Sequence, residues 1–321
     1  MRAYVGVTDG DWYRFLSGRA ATEVNFWQPS GGRRFGAIEP GAPFLFKTHY
    51  SDPVSNRIVG AGFLSGWAPL NVSRAWEFFG PDNGCATEVE MRERIQRYRR
   101  EPVPTPDPQV GCIMLRDVRF LPPEAALPPP PGWAGNIVQG KTYSLAGEEG
   151  AWVQYALDAV YSGGPTTVAL QVADGDEMPG WVHGPVFGEP RSSPVRVGQA
   201  AFKALVQEAY DRRCAITGEK IVPVLQAAHI RPVTDEGENR VDNGLLLRSD
   251  VHTLFDRGYL AVHPEKRTLL VSRRLREDWG NGDEFYRRAE SGEPIRVPRR
   301  RADRPNTDFL TWHADTVYLA G

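Results

Sequence analysis

Residues 225–258, LQAAHIRPVTDEGENRVDNGLLLRSDVHTLFDRG, constrain the fold more tightly than any other stretch of the chain. A short apolar run ends at His229. A polar segment rich in turn formers follows, then a second apolar run, GLLLR, which leads into a polar start and a stop at Gly258. Ser249 is a suitable N-cap and Gly258 a suitable terminator, so the pattern predicts strand, loop, strand and helix. Asn243 follows His229 by 14 residues and His252 follows Asn243 by nine. With His229 on the first strand and His252 on the first turn of the helix, two imidazoles and an amide are expected to converge.

Such a set suits metal-assisted phosphodiester hydrolysis. A neutral imidazole, with an ordinary pKa near 6.5, takes a proton from water at physiological pH. A divalent cation opposite it stabilises charge on the phosphate and the leaving oxygen, and histidine is a frequent ligand for such ions. An asparagine amide holds a loop or orients the base.

The stretch CAITGEK, followed by LQAAHIRPVTDEGENRVDNGLLLRSDVHTLFDRGYL, resembles an HNH endonuclease domain of the ββα-metal fold, over about residues 198–275. The resemblance implies that His229 is the general base, Asn243 braces the hairpin loop and His252 is a metal ligand. Asp250 is a second candidate ligand or orienting carboxylate. Two departures matter. Many relatives carry Asp before the first His, where this chain has Ala228, and many hold a structural zinc on paired Cys-x-x-Cys motifs, where Cys214 is followed here by Thr217. No structural zinc is therefore expected. The cation would have few protein ligands and a shell completed by phosphate and water, which suits Mg²⁺ or Mn²⁺, other transition metals remaining open. His263 in the turn HPEK is expected to be structural, and His183 and His313 carry no spacing signal.

At 321 residues the chain has room for two domains. Its net charge of −2 gives no whole-chain nucleic-acid signal, so any basic surface is local. From Lys266 to Arg304 there are 12 Lys or Arg against seven Asp or Glu, the densest part being Arg299, Arg300 and Arg301. These suit either phosphate contacts or a solvated face. Three scattered cysteines fit a reducing, cytoplasmic setting, and no apolar run approaches the roughly 18 residues of a membrane span. The segment VHGPVFGEPRSSPVRVG breaks all periodicity, and a linker is placed at residues 183–197, between an N-terminal domain (1–182) and a nuclease domain (198–321).

The first domain reads as a small β-barrel with flanking helices, giving an α+β protein overall. One helix is predicted in TEVEMRERIQRYRRE, where Thr87 and Glu90 have capping-box spacing. The order EPGAPFLFK then RIVGAGFLSG, within EVNFWQPSGGRRFGAIEPGAPFLFKTHYSDPVSNRIVGAGFLSGWAPL, resembles the PUA-like superfamily, which includes EVE and SRA-type readers of modified bases. Its fusion to an HNH domain resembles a modification-dependent restriction endonuclease. The expected substrate is double-stranded DNA carrying a modified base, 5-methylcytosine or 5-hydroxymethylcytosine first. Reading a base from its edge requires extruding it. Unstacking costs a few kcal/mol, and stacking on an aromatic ring returns about 1–3 kcal/mol. Candidate pocket walls are Trp27, Phe26, Tyr50, Trp67 and Trp76, with Trp27 first because it borders the polar loop QPSGGRR. Arg33 and Arg34 in that loop are candidate backbone contacts. Cutting both strands with one site per chain implies a homodimer or two binding events. The competing readings are a nucleic-acid-binding regulator with a degenerate HNH domain and a nuclease reading N6-methyladenine or another modification.

Overall fold

The computed structural model describes residues 2–99, 105–161, 198–235 and 237–320. The expected linker at 183–197, and His183, lie outside them. The chain is mixed α+β, as expected. Its first part is built on a six-stranded sheet in the order β2-β5-β4-β3-β1-β6. The strands are β1 (Arg2–Thr8), β2 (Glu23–Gln28), β3 (Pro43–Thr48), β4 (Ile58–Asn71), β5 (Gln109–Phe120) and β6 (Gly140–Ser144). β1 and β3 run parallel and the other neighbours are antiparallel.

Alternation along the strands sends side chains to two faces, and both are covered. One face carries Val24, Phe44, Phe46, Leu64, Ile113 and Leu115 against Trp12, Tyr13 and Leu16 of helix α1 (Gly10–Ser17). Part of the other face is covered by α4 (Gly147–Tyr161), over Ala3, Val5, Leu45 and Ile58. The rest, with Ala68, Leu70, Val110, Cys112 and Met114, is covered by α2 (Val72–Phe79) and α3 (Glu88–Tyr98). Double coverage explains why every residue of β3 is buried, Lys47 included. The predicted capping box opens α3: Thr87 Oγ1 accepts from the Glu90 N–H (3.1 Å), and the Glu90 carboxylate accepts from the Ala86 N–H (2.9 Å).

Helix α5 (Gln199–Ala209) belongs to two cores at once. Ala201 and Ala204 pack with the β4/β5 face, while Phe202 and Val206 pack with the C-terminal core. Two glycines permit the close approach. A Cβ on Gly66 would stand 2.7 Å from Leu205 Cδ1, and one on Gly244 would stand 2.6 Å from Val206 Cγ2. The N-cap Gly198 offers no side-chain acceptor. Glu23 of β2 supplies one instead, accepting from the N–H groups of Ala201 (2.7 Å) and Ala200 (3.3 Å).

The C-terminal part begins with the expected hairpin, β7 (Leu225–His229) antiparallel to β8 (Gly244–Arg248), followed by α6 (Ser249–Asp256). Ser249 is the first helical residue rather than the cap. Arg248 occupies the cap position, and no side chain there bonds a backbone N–H. The second expected hairpin is β9 (Leu260–Val262) with β10 (Leu269–Val271). His263 holds its turn, accepting at Nδ1 from the N–H groups of Glu265 and Lys266. Helices α7 (Arg274–Trp279), α8 (Asp283–Glu290) and α9 (Thr307–Thr316) complete this part.

Candidate functional site

His229 ends β7 and its ring lies flat on Phe202 of α5, with centroids 4.0 Å apart and planes 8° from parallel. Its Nε2 is 2.8 Å from Asn239 Oδ1. An amide oxygen only accepts, so this contact places the hydrogen on Nε2 and the basic lone pair on Nδ1. Asn243 is fully buried at the start of the returning strand. Its Oδ1 accepts from the Arg231 N–H, and its Nδ2 donates to the carbonyls of Arg231 and Glu238, all at 2.9 Å. One side chain thus ties together both ends of the loop that follows His229.

His252 lies on α6. Its Nδ1 is 2.8 Å from Gln226 Oε1, which fixes the hydrogen there and turns the Nε2 lone pair toward Asp256 Oδ2, 3.2 Å away. Two electron-pair donors facing each other at that distance repel unless a proton or a cation stands between them. Burial raises the Asp256 carboxyl above its ordinary pKa, while His252 and then His229 pull it down. The same carboxylate therefore feels both imidazoles. His229, His252 and Asp256 line one open cavity of about 780 Å³, and Glu77 and Phe78 of α2 and Lys203 of α5 form other parts of its wall.

The donor set fits a hard or borderline divalent cation in number only when other ligands complete the shell. His252 and Asp256 offer one nitrogen and one oxygen, and among the described residues no group of three or more His, Cys, Asp or Glu is arranged to hold a metal. Asp250 stands apart from this pair: Arg248 grips both of its oxygens (2.6 and 2.7 Å) and holds its carboxyl below the usual range. Ala228 is fully buried in the core, paired with Leu245 across the hairpin. Cys214 is likewise buried, and its sulfur accepts from the N–H groups of Thr217 and Arg248. Asp256 was legible as the i+4 partner of His252 on one helix face, whereas Phe202 gave no local signal.

The five aromatic candidates in the first domain do not converge. Phe26 and Trp27 are neighbours on β2 and point to opposite faces. Phe26 packs among Trp12, Phe44 and Phe46. Trp27 lies against Tyr98 and donates its indole N–H to the Asn83 carbonyl (3.0 Å). Trp67 shares the Phe26 face, Trp76 packs on the opposite-face cluster that includes Leu70 and Met114, and the buried Lys47 ammonium lies over the ring of exposed Tyr50. The basic candidates come closer together. Asp303, its carboxyl raised by burial, feels both Arg300 and Arg34, so the loop of the first domain approaches the arginine-rich segment of the second. Arg299 lies near Asp211 (3.4 Å). No helix among the described residues is long and apolar enough to cross a membrane.

Residues 214–263 match the family model described as HNH endonuclease. No curated protein sequence matches the chain. Among solved structures, an ASCH protein from Zymomonas mobilis aligns over 48% of this chain and 94% of its own, with 14% identity and a TM-score of 0.31. A modification-dependent restriction endonuclease, TagI, aligns over 92% of this chain and 76% of its own, with 14% identity and a TM-score of 0.26. The matched segment holds the β7/β8 hairpin, α6 and all three of His229, Asn243 and His252, and the chain accordingly carries an HNH endonuclease domain.

Proposed function

We propose that the protein is a modification-dependent DNA endonuclease in which the first domain selects DNA carrying a modified base and the HNH domain hydrolyses a phosphodiester nearby. The observation that carries the reading is the meeting of His229 with the His252–Asp256 pair in one cavity on a strand-hairpin-helix frame. In this mechanism His229 accepts a proton from water at Nδ1, with Phe202 and Asn239 holding its ring in place. Asn243 keeps the loop beyond His229 closed. His252 and Asp256 would hold Mg²⁺ or Mn²⁺, which when bound supplies charge stabilisation to the phosphate and the leaving oxygen. Lys203 on the same wall is placed to contact a phosphate oxygen.

Selectivity is assigned to the first domain because an unrestrained nuclease would damage its own cell. Support comes from its packing against α5 and from the approach of Arg34 to the Arg300 segment, which would let one duplex span both parts. The preferred substrate is DNA with 5-methylcytosine or 5-hydroxymethylcytosine. The test incubates the protein and Mg²⁺ or Mn²⁺ with matched plasmids, one unmodified and others carrying one defined modification each. Cleavage confined to a modified plasmid is expected; equal cutting of all plasmids removes the reader role.

A second reading, a DNA-binding regulator whose HNH domain no longer cuts, is favoured by one feature, Ala228 in place of the usual aspartate. Binding of modified DNA without cleavage at any metal concentration would establish it.

A further inference from the structure

The side of α6 turned away from His252 and Asp256 borders a second cavity, of about 510 Å³, whose other walls come from α7 and α8. Its floor is apolar: Leu275 and Phe285 are buried there, with half-buried Leu254 and Tyr259 beside them. The corner between α7 and α8 is built on glycine. Gly280 ends α7 at φ +64° and Gly282 leads into α8 at φ +105°, both in the region that favours glycine. A Cβ on Gly282 would stand 2.7 Å from Leu275 Cδ2, so the corner packs closely on the floor. It holds Trp279, the last residue of α7, at the edge of the cavity with 63% of its surface in water. A large exposed aromatic beside an unfilled apolar cavity is a knob and a hole on one surface.

We propose that this surface binds a second copy of the chain across a two-fold axis, with each Trp279 seated in the cavity of the other copy. The charges around the apolar floor select that occupant. Two cations, Arg257 and Arg287, and two carboxylates, Asp283 and Glu284, line the same cavity. A nucleic acid would bring phosphates against both carboxylates, and a basic partner would meet both guanidinium groups. A copy of the same surface, turned about a dyad, sets each sign against the other, because an isologous interface pairs residue i with j and j with i. Arg257 forms no ion pair among the described residues, which leaves its charge for a partner. Tryptophan and arginine over an apolar floor are also the residue types that carry binding energy at such interfaces. The pairing has a consequence for the nuclease site. Helix α6 presents His252 and Asp256 to one cavity and Leu254 and Arg257 to the other. Joining two copies through it fixes the two sites relative to each other about a two-fold axis, the symmetry that also relates the strands of a duplex. The pairing itself does not depend on the nuclease reading; only this consequence does.

The test is sedimentation velocity of the full chain, without DNA or metal, over a wide range of concentration. Wild type should pass from monomer to dimer as concentration rises. Trp279→Ala removes the knob, and Arg257→Glu sets a carboxylate against those of the partner. Each should weaken association about tenfold. Both side chains are exposed, so the Tm of the dilute monomer should be unchanged. At a concentration where only wild type pairs, Trp279→Ala should nick a plasmid that wild type linearises. A wild type that stays monomeric throughout overturns the proposal, and so does a dimer that neither variant weakens. If Trp279→Ala pairs as wild type does but loses DNA affinity in anisotropy, nucleic acid occupies the cavity and the proposal falls. A wild type that pairs through this surface but cuts no plasmid removes the nuclease reading and leaves the pairing standing.

Discussion

The imidazole of His229, at the end of β7, lies 4.0 Å above the ring of Phe202 on α5 and nearly parallel to it. The stack sets the plane of the proposed base from outside the HNH motif. Phe202→Leu should preserve apolar burial but release the ring. Stacking of this kind contributes about 0.5–1.5 kcal/mol beyond burial, so single-turnover cleavage should fall about three- to tenfold while DNA affinity is unchanged. An unchanged rate would show that the stack is not needed to orient His229.

Asp256, not Asp250, should govern metal binding. Calorimetric titration with Mn²⁺ should show a loss of at least tenfold in affinity for Asp256→Ala, and little change for Asp250→Ala, whose carboxylate is already held by Arg248. Chelation with EDTA should stop cleavage in the wild type.

Removing the carboxylate of Glu23 should loosen α5. Glu23→Ala deprives two N–H groups at the start of the helix of their acceptor, and the helix has no cap of its own. Urea denaturation should report a loss of about 1–2 kcal/mol. The HNH domain should feel the change, because the same helix carries Phe202.

Acid should weaken the C-terminal core through His313. Burial lowers its pKa to about 4, and its ring stacks on Phe255 while Nε2–H donates to the Phe255 carbonyl. The unfolded chain takes up a proton near pH 6.5, well before the folded one, so it binds more protons between pH 6.5 and 4. Stability should be fully present above about pH 6.5 and fall toward pH 4 by about 3 kcal/mol. His313→Gln should flatten that part of the pH profile measured by thermal denaturation.

Arg34 and Arg300 should act on DNA together. Each phosphate contact removed lowers the slope of log K against log salt by about 0.9. Arg34→Glu and Arg300→Glu should each flatten it by about that much in nitrocellulose filter binding, and a slope unchanged in both would place the duplex elsewhere.

The nuclease half was legible because its signals are local. The apolar runs around His229 and Leu246, the turn at His263 and the spacing to His252 all follow from strand and helix periods within some thirty residues. What the pattern could not carry were contacts fixed only by the folded chain. Ser249 looked like a cap, yet the helix begins on it. Asp250 adjoined the motif, but Arg248, two residues before it, claims its carboxylate, and helical rotation brings Asp256 to His252 instead. In the first domain the aromatic residues were visible one by one. Their division between two sheet faces required knowing that Phe26 and Trp27 both lie within one strand.

The double-faced packing of α5 has a practical consequence for exchange of parts. A fragment beginning at Gln199 would present Ala201, Ala204 and Leu205 to water, and a first part truncated before it would uncover Leu70 and Met114. The halves are therefore not interchangeable beads on a string. Any chimera that grafts a different first domain onto this HNH domain must bring a strand glycine and a carboxylate equivalent to Gly66 and Glu23, or redesign the helix along with the graft.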